Sequence, residues 1–107
     1  MTDDVLLRLA AVIAERRAAS ADKSYTRQLL DEGTPRCAKK FGEEAFETVI
    51  ASLNESDAAL CSEAADVIYH LLVLLESRSV SIADVLAVLE SRMGTSGLEE
   101  KARRKGN

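Results

Sequence analysis

Apolar positions recur at helical spacing along most of the chain. Between about Asp3 and Arg17, Leu6, Leu9 and Ile13 make one stripe, and Val5 and Val12 lie one turn further round. This predicts a first helix, with Thr2 as its N-cap and Asp3 and Asp4 near the positive end of its dipole. The polar, basic stretch from Ala18 to Gly33 predicts loops around a short helix over Ser24–Leu30, ended by Gly33. A second helix is predicted from Thr34 to about Leu53. Thr34 is its expected cap, and Pro35 sits in the first turn, where a missing N–H costs nothing. Phe46, Val49, Ile50 and Leu53 form its apolar side. Lys40, Glu44, Glu47 and Ala51 line another side, with Glu43 next to them.

The link Asn54-Glu55-Ser56 is short enough to make the flanking helices antiparallel neighbours. The third helix is predicted from Asp57 to about Ser77, capped by Ser56. Leu60, Ala64, Val67, Leu71 and Leu74 form its main stripe, and Ile68, Leu72 and Leu75 form a second. Apart from Tyr69 and His70, its second half is apolar almost all round, so it needs neighbours on most sides. A chain of this length scarcely covers such a helix alone, and a partner subunit is expected to help. Ser81 with Asp84 resembles a capping box and opens a fourth helix to about Met93, with Ile82, Val85, Leu86 and Leu89 inward. Residues 94–97 form a loop, and the charged tail from Leu98 is read as either a short helix or a disordered segment.

Composition supports an all-α fold. The 107 residues suit one domain spanning 1–107, and 47% hydrophobic with 30% charged residues describes a soluble globular chain. One Pro and few aromatic residues argue against a β-sandwich or barrel. No apolar run is expected to reach the roughly 20 residues that cross a bilayer. The acidic start, without a basic n-region, argues against a secretory signal. Cys37 and Cys61 lack C-x-x-C spacing and are read as small buried hydrophobes in a reducing cytoplasm. With His70 as the single histidine, the case for zinc is thin. A net charge of −4 disfavours nonspecific binding to nucleic acid, although basic residues gather at Lys23 to Arg27 and at Lys101 to Lys105.

The candidate chemistry lies in the acids. Glu44 with Glu47 forms E-x-x-E, and Glu63 with Asp66 forms E-x-x-D. Residues three apart share a helix face, so each pair aims two oxygen ligands at one point. Counted from the turn at Ser56, Glu47 is about nine residues back and Asp66 about ten forward, which levels the two pairs to within a few Å. Two readings stay open on the residues alone: a site for hard cations, most plausibly Mg²⁺, or a solvated acidic face. Lys40 is either a helical ion-pair partner of Glu44 or a phosphate contact. His70 is either packed at a helix interface or part of the site. A di-iron bundle needs Glu-x-x-His pairs, which the chain does not provide.

A resemblance narrows these choices. Ser24-Tyr25-Thr26, Lys40-x-Gly42-Glu43-Glu44-Ala45-x-Glu47, Glu63-Ala64-Ala65-Asp66-x-x-Tyr69-His70-Leu71-Leu72 and Ser96-Gly97-Leu98-x-x-Lys101 resemble the phosphoribosyl-ATP pyrophosphatases of histidine biosynthesis. The two acidic motifs alone mark the wider MazG-like, all-α nucleotide pyrophosphohydrolases. The resemblance implies a MazG-like bundle of four to five helices completed by homo-oligomerisation, at least a dimer, in the cytoplasm. It implies hydrolysis of 1-(5-phospho-β-D-ribosyl)-ATP between its α and β phosphates, giving the AMP derivative and pyrophosphate, the second step of the pathway. It implies Mg²⁺, with Mn²⁺ as a substitute, held by Glu44, Glu47, Glu63 and Asp66. Glu43 is then a further ligand or a base that orients water, and Lys40 neutralises the leaving pyrophosphate. Lys23, Tyr25, Arg27, Lys40, His70, Lys101 and Arg103 are the expected substrate contacts, with neither nucleic acid nor membrane as partner. The rival readings are a MazG-like hydrolase of other nucleoside triphosphates and a non-catalytic helical interaction module.

Overall fold

The computed structural model describes residues 4–22, 24–93 and 104, and every regular element among them is helical. Helix α1 (Val5–Glu15) runs into a 3₁₀ turn (Arg16–Ala18), followed by α2 (Tyr25–Glu32), α3 (Thr34–Asn54), α4 (Asp57–Ser77) and α5 (Ile82–Met93). The all-α expectation therefore holds. The loop and tail beyond Met93, like Thr2 and Asp3, lie outside the described residues.

Two helix starts differ from expectation. The α1 cap is Asp4, whose carboxylate accepts from the Leu6 N–H at 2.8 Å. A carboxylate at this position both fills an orphan donor and meets the positive helix end. The α3 cap is Gly33, not Thr34. Gly33 adopts φ 91°, a left-handed conformation that glycine enters without penalty, so one residue ends α2 and begins α3. The helix thus starts one residue earlier, and the Thr34 hydroxyl is released to bond with that of Ser77 at 2.9 Å. Ser24, Ser56 and Ser81 cap α2, α4 and α5 through their hydroxyls, which accept from Arg27, Ala59 and Ala83.

The frame of the molecule is the α3–α4 hairpin. Each helix has 21 residues, and only Glu55 and Ser56 join them. The bond between Thr34 at the start of α3 and Ser77 at the end of α4 shows that they run antiparallel over their whole length. The core gathers around the C-terminal half of α4, where Leu72 and Val73 meet Ile13 of α1, Leu29 of α2, Cys37 of α3 and Ile82 of α5. Arg17 grips the same end of α4 by donating to both the carboxylate and the carbonyl of Glu76.

That arrangement uses only part of the apolar surface of α4, of which His70, Leu72 and Val73 are buried. An 18-residue window of this helix has mean hydropathy 1.6, long and apolar enough to cross a membrane. This departs from the expectation that no run would qualify. The apolar positions serve as the axis of the core, and Glu63 and Asp66 occupy the other half of the helix.

Several stripes are less covered than expected. Val5, Val12 and Leu89 are exposed, as is the whole apolar side of α3: Phe46 (65%), Val49 (54%), Ile50 (38%) and Leu53 (76%). The reason is geometric. The core elements gather near the Thr34–Ser77 end of the hairpin, and this apolar row lies toward its turn. Cys37 is buried as expected, whereas Cys61 is exposed.

Leu29 is 1% exposed and joins α2 to the hairpin. Leu29→Ala is expected to lower stability by about 2–5 kcal/mol, read as a shifted urea midpoint at unchanged slope.

Candidate active site

The hairpin places the acidic pairs opposite each other. One carboxylate oxygen from each of Glu44, Glu63 and Asp66 lies within 4.8 Å of the others. Glu44 and Glu63 are half-buried and Asp66 is exposed. Glu47 stands one turn beyond Glu44, and the two carboxyls hydrogen-bond to each other. That bond, followed by burial and the negative charges of Glu47 and Asp66, pushes Glu44 up to about 7. Burial, then the charges of Glu47, Asp66 and Glu55, also raises Glu63. The four acids are therefore a mutually repelling group held together by the fold. Three hard oxygen donors at this spacing fit a divalent ion of the Mg²⁺ or Mn²⁺ type, and nothing in the donor set is soft.

The chain matches the model of the phosphoribosyl-ATP pyrophosphohydrolase family over residues 6–93. It belongs to that family. Its relatives include phosphoribosyl-ATP pyrophosphatases of Cereibacter sphaeroides and Dinoroseobacter shibae. Each is 55% identical over 100 residues, or 94% of this chain, covering 97% and 98% of those proteins respectively. Phosphoribosyl-ATP pyrophosphatase 1 of Bradyrhizobium diazoefficiens is 55% identical over 97 residues, 91% of this chain and 92% of that protein.

Around the acids, the other predicted site residues fall into three groups. Lys40, Glu43, Tyr25 and His70 adjoin the cluster. The Lys40 ammonium lies 3.4 Å from Glu43, one turn along α3, rather than pairing with Glu44. Its bond to Glu43, aided by the Tyr25 phenol, raises the Lys40 pKa and keeps it charged. His70 is 6% exposed, and its ring meets Tyr69 edge-on at 5.0 Å and Tyr25 edge-on at 6.2 Å. Burial, then the Lys40 charge, lowers its pKa, so the imidazole is neutral at pH 7.

Arg27 is engaged elsewhere. Its guanidinium donates to Asp31 at 2.9 and 3.0 Å, to the Arg17 carbonyl at 3.0 Å and to the Ala19 carbonyl at 2.6 Å. Through Nε and Nη1 it clamps the turn before α2. Lys23, Lys101 and Arg103 lie outside the described residues.

Sequence reasoning missed Thr26 and Tyr69 as a pair. Both belong to the motifs carrying the family resemblance, and their hydroxyls hydrogen-bond between α2 and α4. Only the neighbours Tyr25 and His70 were singled out, because a hydroxyl–hydroxyl bond has no signature in spacing.

A raised carboxyl pKa carries a definite sign. Glu44 favours folding fully below its unfolded value, near 4.5, and this contribution is lost as pH rises through about 7. Without divalent ions, the stability of the protein relative to Glu44→Gln should therefore decline between about pH 4.5 and 7.5, followed by urea titration in EDTA. At pH 8 the variant should be at least as stable as the parent, because the replacement relieves repulsion.

Proposed function

We propose that this protein hydrolyses 1-(5-phospho-β-D-ribosyl)-ATP to 1-(5-phospho-β-D-ribosyl)-AMP and pyrophosphate, in the second step of histidine biosynthesis. The observation that carries the reading is the meeting of Glu44, Glu63 and Asp66 within 4.8 Å, in a chain that belongs to this pyrophosphohydrolase family. A polyphosphate and an acidic site repel each other, so the reading includes Mg²⁺ held by Glu44, Glu63 and Asp66, with Glu47 beside them and Mn²⁺ as a substitute. When bound, the ion supplies charge neutralisation and polarisation of the phosphates.

The remaining roles belong to side chains of the protein. Glu47, one turn along α3, raises the proton affinity of Glu44. Glu43 lies outside the three-carboxylate set and is held by Lys40, where it can orient water and accept its proton. The Lys40 ammonium offsets charge developing on the leaving pyrophosphate. Tyr25, 49% exposed, presents a ring face for the nucleotide, and the neutral His70 ring lies behind it.

The reading also includes a homo-oligomer, at least a dimer, in the cytoplasm. Phe46, Val49, Ile50 and Leu53 on α3, with Ile68 on α4, leave apolar surface at the turn half of the hairpin. A second copy covering this face would supply the neighbours that α4 was expected to need. Phe46→Asp should shift the sedimenting species toward monomer without loss of helical circular dichroism.

A substrate panel of phosphoribosyl-ATP, dUTP, dCTP and ATP tests the activity. Phosphoribosyl-ATP should be turned over fastest, and faster cleavage of a plain triphosphate would refute the assignment. Glu44→Gln, Glu63→Gln and Asp66→Asn should each lower turnover about 100-fold or more at saturating Mg²⁺. Wild-type rates in the purified variants would remove these residues from the mechanism. Metal binding by isothermal titration separates an enzyme from a helical interaction module, which should bind neither Mg²⁺ nor Mn²⁺.

A further inference from the structure

The Thr26 and Tyr69 hydroxyls hydrogen-bond across 43 residues of sequence and join α2 to α4. Thr26 is 7% exposed, so water does not compete freely for the bond. Each partner is next in sequence to a ring beside the acidic cluster: Tyr25 precedes Thr26, and His70 follows Tyr69. The His70 ring lies nearly perpendicular to both tyrosines, at 79° to Tyr69 and 87° to Tyr25. Its Nδ1 is enclosed, with no hydrogen-bond partner among the described residues. A buried polar atom left unpaired in a native protein calls for an explanation. The Tyr25 and Tyr69 rings, both edge-on to the imidazole, are contacts that can set its orientation. These rings depend in turn on the hydroxyl bond that sets α2 against α4. The cluster is close by, since His70 feels the charges of Lys40, Asp66 and Glu43, and Lys40 feels Tyr25.

We infer that Thr26 and Tyr69 are positioning residues whose hydroxyl bond sets the His70 and Tyr25 rings as one wall of the nucleotide site. The inference rests on the pyrophosphohydrolase reading above and adds a device that neither touches phosphate nor holds metal. The wall contacts substrate alike in the ground and transition states, so its loss appears in KM rather than kcat.

The test uses full-length, untagged protein. His70 is the only histidine, so every imidazole NMR resonance reports on it. Thr26→Val and Tyr69→Phe should each move those resonances and raise KM for phosphoribosyl-ATP about 5- to 10-fold, with kcat within about 2-fold. Thr26→Ser keeps the hydroxyl and should keep both signals near wild type. The double variant should be no worse than either single, because the two hydroxyls act as one unit. Imidazole resonances that stay in place, with or without a change in KM, overturn the inference. So do moved resonances with an unchanged KM, or additive losses in the double variant. A wild-type protein that fails to cleave phosphoribosyl-ATP would instead refute the pyrophosphohydrolase reading. The resonance comparison would still decide whether the hydroxyl pair orients His70.

Discussion

Carboxylates crowded across a helix hairpin repel, and the repulsion must be resisted by something stronger. Here it is resisted by two antiparallel helices of 21 residues each, joined by two residues and tied at the far end by Thr34 and Ser77. Within that frame the backbone keeps Glu44, Glu63 and Asp66 facing one another, with one carboxylate oxygen of each within 4.8 Å of the others. The proton affinity of Glu44 rises with the crowding, to about 7, first through its hydrogen bond to Glu47 and then through burial and the charges of Glu47 and Asp66. In the proposed reading, a divalent cation would relieve the same crowding.

The rest of the fold serves this hairpin unevenly. Helices α1, α2 and α5 cluster around the half of α4 that carries Leu72 and Val73, and there they bury an ordinary apolar core. Among the described residues the half nearer the turn has no such cover, and its apolar row on α3 is exposed. The acidic cluster therefore sits between a well-packed end that holds the register and a turn end whose apolar row is exposed. Helix α2 adds a second tie through Thr26 and Tyr69, bringing Tyr25 and His70 to the edge of the acids.

Much of this was legible in the residues. Helical periodicity gave the four longer helices, and Ser56 and Ser81 marked two starts correctly, while the Ser24 cap of the short α2 went unread. The two caps read wrongly, at Thr2 and Thr34, failed because a neighbouring residue had the better local chemistry: a carboxylate at Asp4 and a left-handed glycine at Gly33. The acidic motifs were visible because three-residue spacing and a short turn suffice to put them level. Arg27 was read as a phosphate contact from its charge; its Nε and Nη1 bind Asp31 and two carbonyls, partners that were not read from the sequence.

The linear pattern by itself determined the helices, their antiparallel pairing and the facing of two carboxylate pairs, because each follows from local periodicity and a link too short to allow anything else. Tertiary structure decided which charges and hydroxyls became partners. It gave Glu43 rather than Glu44 to Lys40, enclosed His70 between two tyrosines, and joined Thr26 to Tyr69. It also left Phe46 and Leu53 exposed while covering Leu29 and Val73. These outcomes depend on rotamers and on how helices distant in sequence seat against one another, and no spacing rule encodes either.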